Sequence, residues 1–254
     1  MINNDNDIII LVIASRGETY DKLINNYWHY LINYIKQNQY KIKIFLLFGN
    51  NENTEELLVD KKDMLILNVV DNLIPGILQK TIKAFEYINV NYQYKHIIRT
   101  NLSSFFIVDE LVKISNSLDS NNLYASLPLI NHAYRHYVGQ VGTGCGFWLS
   151  KDNIEYILNN ENKINYTVAD DIAIGKIMES KKFTKLKRID IVSSNSWISG
   201  ADLIEISSIT NDVYKSELLT KIINYGHYHI RIKVEKDRNI DIDFMKYFTK
   251  ILYI

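Results

Sequence analysis

The first hundred residues alternate between largely apolar runs and segments with helical spacing. The run at 7–15 is continuous, which is typical of a strand buried on both faces of a parallel sheet, and the runs at 40–49, 63–70 and 95–100 predict three further strands. Helical spacing follows the first run at 19–38 and the third at 76–88. The predicted buried face of the 19–38 helix consists of Leu23, Tyr27, Tyr30, Leu31 and Tyr34.

The second half of the chain is less regular. The pattern predicts strands at 123–130 and at the apolar end of 141–150, and period-two alternation predicts another at 226–234. Residues 131–140 show neither period, and only short strand-like pieces are predicted beyond residue 184. Three helices are predicted, at 107–118, 151–160 and 169–182.

Strands that alternate with helices imply a doubly wound parallel sheet. Ligands of such sheets bind outside the carboxyl ends of the strands. Five polar residues lie just past predicted strand ends and are expected to face one crevice: Ser15, Arg16, Asp71, Asn101 and Ser103.

Composition narrows the function classes. The 254 residues are 47% hydrophobic and 23% charged, which is ordinary for a globular domain, and no linker divides them. Lysine plus arginine equals aspartate plus glutamate at 29 each, so we expect neither a nucleic-acid nor a membrane-surface partner. The first apolar run is too short to span a bilayer, and Cys145 is the single cysteine. We therefore expect a cytoplasmic protein without a membrane span.

Two adjacent aspartates, Asp170 and Asp171, open the predicted helix at 169–182. Acidic residues at a helix start commonly cap the helix, so these aspartates are either capping residues or catalytic residues. The segment "GTGCG", which contains Gly144 and Gly146, is either a tight turn before a buried strand or a turn that lets a sugar approach the backbone.

Other charged residues suit phosphate or metal binding. Arg16, Lys80 and Arg99 could offer positive charge to a diphosphate, or they are ordinary surface residues. His227 and His229 share one face of a predicted strand, at a spacing that suits a metal or a phosphate, or they are exposed histidines without function. The sequence contains no Walker loop, GxGxxG, HExxH or CxxC pattern.

Four segments, in order, resemble the inverting beta-1,3-glycosyltransferases, the family of Fringe and related galactosyl- and N-acetylglucosaminyltransferases. The first, "DMLILNVVDNLIPGILQKTIKAFEYI", has Asp71 before a helix with Lys80 and Thr81. The second is "YKHIIRTNLSSFF", in which Arg99 and Phe105 match the basic and aromatic residues that flank the triple-aspartate metal motif in the family.

The third and fourth segments are "TGCGFWLS" and "ADDIAIGKIM". The former resembles a Thr-Gly-x-x-Gly-Phe stretch shortened by one residue, and the latter has Asp171 and Gly175 at the family's catalytic aspartate and closing glycine. The resemblance covers roughly residues 60 to 180. The chain departs from the family at the outer two metal-motif positions, which are Asn101 and Ser103.

The resemblance implies an α/β fold of the GT-A type with a mixed central sheet. It implies one glycosyltransferase domain over 1–254, with a nucleotide-binding half at about 1–120 and an acceptor half at 121–254. The implied activity is that of a hexosyl- or N-acetylhexosaminyltransferase, which inverts the anomeric carbon of a UDP-sugar and glycosylates a glycan or glycoprotein hydroxyl.

The implied site residues follow from the matched positions. Asp171 is the expected base, and the expected donor-binding residues are Ser15, Arg16, Asp71, Lys80, Arg99, Asn101, Ser103, Gly144 and Gly146. Candidate ligands for Mn²⁺ or Mg²⁺ are Asn101, Ser103, His227 and His229. Because an amide and a hydroxyl bring no charge, we expect metal binding to be weak or absent.

Two alternatives stay open at this stage. A catalytically inactive pseudo-glycosyltransferase would bind a glycan or a partner protein. A plain nucleotide-binding α/β protein would leave the motifs of the second half unexplained.

Overall fold

The computed structural model describes residues 5–50, 58–128, 141–192, 201–205, 211–234 and 237–254. Its strands are β1 (Ile8–Ile13), β2 (Ile42–Gly49), β3 (Leu58–Lys61), β4 (Met64–Leu67), β5 (His96–Asn101), β6 (Ser104–Phe106), β7 (Tyr124–Pro128), β8 (Gly142–Ser150), β9 (Phe183–Lys185), β10 (Ile189–Val192), β11 (Asp202–Glu205) and β12 (His229–Lys233). The α-helices are α1 (Glu18–Leu23), α2 (His29–Gln37), α3 (Gly76–Asn91), α4 (Val108–Ser117), α5 (Lys151–Asn159), α6 (Asp170–Ile177), α7 (Asp212–Asn224) and α8 (Arg238–Leu252).

The chain forms two compact units, and each is assembled from three separate segments. The first unit comprises Met1–Ser15, Lys41–Asn101 and Leu118–Leu186, and the second comprises Arg16–Tyr40, Leu102–Ser117 and Lys187–Ile254. These units do not follow one cut near residue 120. The assignment of nucleotide and acceptor roles to two halves stays a prediction.

The first unit is built on an eight-stranded sheet in the order β3-β4-β2-β1-β5-β8-β7-β9. Strands β4, β2, β1 and β5 run parallel to one another, as the alternation of strands and helices predicts. Beyond them, β8 pairs antiparallel with both β5 and β7, and β3 pairs antiparallel with β4. The predicted α/β class and mixed central sheet are confirmed.

The core of this unit follows from the apolar runs. All six residues of β1 are buried, as expected for a strand covered on both faces. Helix α3 packs against β1 and β2, and α6 packs against β8. Buried Leu78, Phe85 and Ile88 of α3 meet Phe45 and Leu47 of β2 in one apolar cluster.

The second unit contains a four-stranded sheet in the order β11-β10-β12-β6. Strands β10, β11 and β12 are parallel, and β6 pairs antiparallel with β12. The ring of Tyr27 stacks on Phe105 with centroids 4.3 Å apart, and its hydroxyl accepts a 2.7 Å hydrogen bond from the amide of Phe106. This aromatic contact attaches β6 to the helical segment that follows β1.

A π-helical turn at Ile24–Trp28 separates α1 from α2 and alters the predicted helix face. Such a turn bonds residues five apart, so it rotates the positions that follow it. Leu23, Tyr27 and Leu31 are buried as predicted. Tyr30, in contrast, is 42% exposed, and the core is filled by Trp28.

Two long helices beyond residue 184, α7 and α8, were not predicted. Helix α7 has apolar residues on both its buried and its exposed face, including exposed Val213. Its sequence therefore shows no clear helical spacing of apolar residues. Helix α8 does have a readable signal, because Asp237 caps it and Phe244 and Phe248 are buried one turn apart. The helix predicted at 169–182 ends earlier, at Ile177, and a 3-10 helical turn follows at Met178–Ser180.

Other local predictions were revised or fall outside the described residues. Strand β6 lies between the strand predicted at 95–100 and the helix predicted at 107–118, where no element was predicted. The irregular segment 131–140 lies outside the described residues. No helix within the described ranges is long and apolar enough to cross a membrane.

Candidate functional site

The carboxyl ends of the parallel strands in the first unit bring predicted site residues together. Ser15 follows β1, and Asp71 follows β4. The Ser15 hydroxyl donates a 3.2 Å hydrogen bond to Oδ1 of Asp71. These two residues therefore lie together past the strand ends, and their role in a ligand crevice stays a prediction.

Lys80 on α3 belongs to the same group of residues. Its ammonium donates to the Ala14 carbonyl at 2.9 Å and to Oδ1 of Asp71 at 2.7 Å. The side chain is fully buried, so the surface alternative for Lys80 is wrong. Burial lowers the pKa of Lys80, and the Asp71 carboxylate opposes this shift.

Arg99 on β5 is also buried rather than on the surface, with 3% exposure. Its Nη2 lies 2.5 Å from Oδ2 of Asp170, and its Nη1 donates to the carbonyl of Gly144. The pairing of β5 with antiparallel β8 makes this contact possible, because Arg99 lies opposite Phe147. Nε of Arg99 has no hydrogen-bond partner within the described residues, and a ligand or a water would satisfy it.

Asp170 and Asp171 form the first turn of α6, but their environments differ. Asp170 is 6% exposed, and burial raises its pKa to about 6 although Arg99 opposes the shift. Asp171 is half-buried and keeps an accessible surface. Its Oδ2 accepts a 2.9 Å hydrogen bond from the Gly144 amide, and its Oδ1 accepts one from the Ile172 amide.

The helix-cap alternative accounts for only part of this arrangement. The cap residue of α6 is Ala169, which makes no side-chain hydrogen bond. One oxygen of Asp171 does satisfy an amide of the first turn, whereas the other holds the backbone of β8. Asp170 is paired with Arg99.

The glycine-rich segment lies within strand β8, so the predicted turn is wrong. A Cβ on Gly144 would lie 3.1 Å from Oδ2 of Asp171 and 3.4 Å from Nη1 of Arg99. Glycine at this position leaves the space that both charged groups occupy. Gly146 is buried opposite Thr100, and its carbonyl accepts a 2.7 Å hydrogen bond from the Ser126 hydroxyl.

These contacts join into one charged network, which we call the strand-end cluster: Asp71, Lys80, Arg99, Asp170 and Asp171. The charges of Arg99 and Asp170 both affect the pKa of Lys80, so the Lys80–Asp71 pair and the Arg99–Asp170 pair interact electrostatically. Two cations face three carboxylates, so the cluster has no excess positive charge. Asn101 lies beside it, with Nδ2 3.5 Å from the Gly144 carbonyl.

Four other predicted site residues belong to the second unit. Arg16 is exposed. The Ser103 hydroxyl accepts a 3.3 Å hydrogen bond from Nη2 of Arg238, a residue that sequence reasoning missed. No sequence signal connects Arg238 with Ser103, because the contact depends on where α8 begins.

Both candidate histidines are buried, so the exposed alternative is wrong. His229 begins β12, and its Nε2 lies 2.9 Å from the Ser104 hydroxyl. His227 precedes the strand, with Nε2 3.7 Å from Oδ2 of Asp202. Burial lowers the pKa of each ring, which favours the neutral form.

The residues do not fit a resident divalent cation. Across the described ranges, no group of three or more histidine, cysteine, aspartate or glutamate side chains could hold a metal. Asn101 offers a neutral amide, and the ammonium of Lys80 would repel a cation. Weak metal binding together with a nucleotide stays a prediction.

Comparisons with known proteins add structural and sequence likenesses. No model of a known protein family matches the chain. A glycosyltransferase involved in the glycosylation of the major capsid of PBCV-1 superposes with a TM-score of 0.49 at 11% identity, over 94% of this chain and 98% of that one. Drosophila beta1,4-galactosyltransferase 7, in a mutant form complexed with manganese, UDP-Gal and xylobiose, gives a TM-score of 0.42 at 11% identity. That match covers 70% of this chain and 64% of the Drosophila chain.

A relative found by sequence is named for an activity other than glycosyl transfer. The ATP-dependent DNA helicase Rep of Buchnera aphidicola is 28% identical over 222 residues. The match covers 83% of this chain but only 30% of the helicase. The sequence of this chain contains no Walker loop, the phosphate-binding motif of ATP-dependent helicases.

Proposed function

We propose that the chain is an inverting glycosyltransferase that moves a sugar from a UDP-sugar to a hydroxyl of a glycan or glycoprotein. The observation that supports this most directly is the position of Asp171, a half-buried carboxylate with accessible surface at the strand-end cluster. Its neighbour Asp170 is buried against Arg99, so only Asp171 has surface that an acceptor hydroxyl can touch. The resemblance of "ADDIAIGKIM" to the catalytic segment of the beta-1,3-glycosyltransferases supports the same choice.

The proposed reaction is a single displacement. The acceptor oxygen forms a bond to the anomeric carbon of the donor sugar as the bond from that carbon to the diphosphate oxygen breaks. Asp171 takes the hydroxyl proton, and UDP leaves with the electron pair. The Gly144 amide holds Oδ2 of Asp171, which orients the carboxylate.

Arg99 and Lys80 are the proposed groups that meet the developing charge on the diphosphate. Both cations are already paired with carboxylates. The positive charge that they offer the diphosphate therefore depends on how far those ion pairs rearrange when the donor binds. Ser15, Asp71 and Asn101 are the proposed ribose and uracil contacts. Ser103 and Arg16 are proposed donor contacts on sequence grounds.

The test is the substitution Asp171→Asn, which removes the base and keeps the shape. We expect turnover to fall by about 100-fold or more, while UDP binding stays close to wild type. The asparagine amide has one acceptor oxygen, so either the Gly144 or the Ile172 amide loses its partner and the thermal unfolding midpoint should fall modestly. The matched control is Asp212→Asn, a similar change in the first turn of α7. Equal turnover in the two variants would refute the base assignment.

A second function, glycan or partner binding without catalysis, is favoured by the charge balance of the strand-end cluster. Two cations against three carboxylates leave one net negative charge, which does not attract a diphosphate, and Asn101 adds no charge. A panel of nucleotide-sugars separates the two proposals. A thermal shift with UDP but no donor hydrolysis or transfer would favour the binding protein, whereas turnover would favour the enzyme. UDP should bind better than GDP or CMP under either proposal.

A further inference from the structure

A cavity of about 370 Å³ lies in the second unit, between α7 and the strands β10 and β11. Ile189 is the first residue of β10 and Asp202 the first of β11, so the cavity is at the amino end of these parallel strands. Its volume lies in the range of roughly 300–1,000 Å³ that small-ligand sites occupy. It shares no residue with the strand-end cluster, and nothing in the proposed glycosyl transfer uses it.

One side of the cavity is apolar and held by regular structure. Ile189 of β10 and Leu218 and Ile222 of α7 line it, and each is less than one-tenth exposed. Leu218 and Ile222 are one turn apart on the same helix face. Tyr225, 78% exposed at the end of α7, adds an aromatic ring to the lining.

The other side carries charge. The lining includes the exposed lysines Lys187 and Lys221 and the carboxylate of Asp202. Two positive charges against one negative charge leave an excess of one. A ligand with a single negative charge matches this excess better than a dianionic phosphate.

His227 supplies a buried polar group that also lines the cavity. Its ring is 7% exposed, and its Nε2 lies 3.7 Å from Asp202, which is longer than a hydrogen bond. Within the described part of the chain, the ring therefore has no side-chain hydrogen bond. Burial and the nearby Lys187 lower the pKa of His227, so at neutral pH the ring can donate one hydrogen bond and accept one.

We propose that this cavity binds a small aromatic carboxylate. The ring of the ligand packs on Ile189, Leu218 and Ile222. Its carboxylate accepts hydrogen bonds from Lys187, Lys221 and the imidazole of His227. This proposal concerns a second site and does not depend on glycosyl transfer.

The test uses 3-phenylpropionate as the probe, with binding to the full chain followed by titration calorimetry. Two comparison probes remove one feature each: 3-phenylpropanol lacks the charge, and propionate lacks the ring. We expect saturable binding of 3-phenylpropionate that is at least about tenfold tighter than that of either comparison probe.

Two variants test whether the probe binds in this cavity. Lys221→Ala removes an exposed charge from the lining and should weaken 3-phenylpropionate about tenfold, because a hydrogen bond to a charged group is lost. Lys250→Ala, an exposed lysine of α8 outside the lining, is the matched control and should change nothing. Excess UDP should not displace the probe, which separates this cavity from a nucleotide site.

Three results with the probes would overturn the proposal. They are the absence of saturable binding at millimolar probe, equal binding of 3-phenylpropanol, and displacement by UDP. An equal loss of affinity in Lys221→Ala and Lys250→Ala would place the probe elsewhere and would also overturn it.

Discussion

The amide of Gly144 donates a 2.9 Å hydrogen bond to Oδ2 of Asp171, a residue 27 positions further along the chain. This bond joins strand β8 to the first turn of α6 and orients the proposed base. It exists because Gly144 has no side chain to fill the space between the carboxylate and Arg99.

Substituting Gly144 by alanine should therefore impair the proposed base. The added Cβ would lie 3.1 Å from Oδ2, a contact tighter than ordinary, so the carboxylate has to move. We expect kcat to fall about tenfold or more with a smaller effect on the KM for the donor, since a misplaced base acts on the chemical step. The neighbouring Cys145→Ala variant is the control, and wild-type kcat in Gly144→Ala would contradict the prediction.

Replacing Lys80 by methionine should destabilise the first unit. The substitution leaves Asp71 without its ammonium partner, and breaking a buried pair costs about 3 kcal/mol. The control is Lys95→Met, whose pair with Asp7 is exposed and should be worth less than about 1 kcal/mol. Urea unfolding measures both.

Adding Asp71→Asn to Lys80→Met should recover part of the loss, because no carboxylate is then left unpaired. If Lys80→Met costs no more than Lys95→Met, the buried pair contributes little to the folded state. That result would contradict the structural role given to Lys80.

Asp170 should make stability depend on pH. Burial raises its pKa from the ordinary value of 3.8 to about 6, so the folded state binds a proton more tightly than the unfolded chain does. Its contribution to stability is complete below about pH 4 and is lost as the pH rises through 6. The difference in unfolding free energy between wild type and Asp170→Asn should fall across that window, as measured by denaturant titrations at several pH values.

The opposite slope for Asp170 would mean that Arg99 outweighs burial. In that case the pKa of Asp170 would lie below its ordinary value. The stability difference between wild type and Asp170→Asn would then grow as the pH rises.

Chelation should leave most of any transferase activity intact. Asn101 and Ser103 bring no charge to a divalent ion, and Ser103 already accepts a hydrogen bond from Arg238. The double variant with aspartate at both positions should bind Mn²⁺ more tightly in calorimetry, whereas alanine at both positions should not. Complete loss of wild-type activity in EDTA would contradict this prediction.

The sequence by itself determined the elements whose residues are buried in an unbroken or periodic pattern. The apolar runs of β1, β2 and β5 and the stripe of α3 identify strands and helices, because burial of a face imposes its period on neighbouring residues. The same pattern placed Ser15 and Asp71 at strand ends. It failed at α7, where exposed Val213 and Tyr225 obscure the period.

Only the tertiary structure decided the partners of the charged residues. Arg99 meets Asp170, and Gly144 meets Asp171, because β8 inserts antiparallel beside β5 and α6 packs on β8. Neither contact has a local signature, since both depend on strand order and on which carboxylate is excluded from water. Adjacent aspartates are alike in the sequence; burial makes Asp170 the ion-pair partner and leaves Asp171 accessible to substrate.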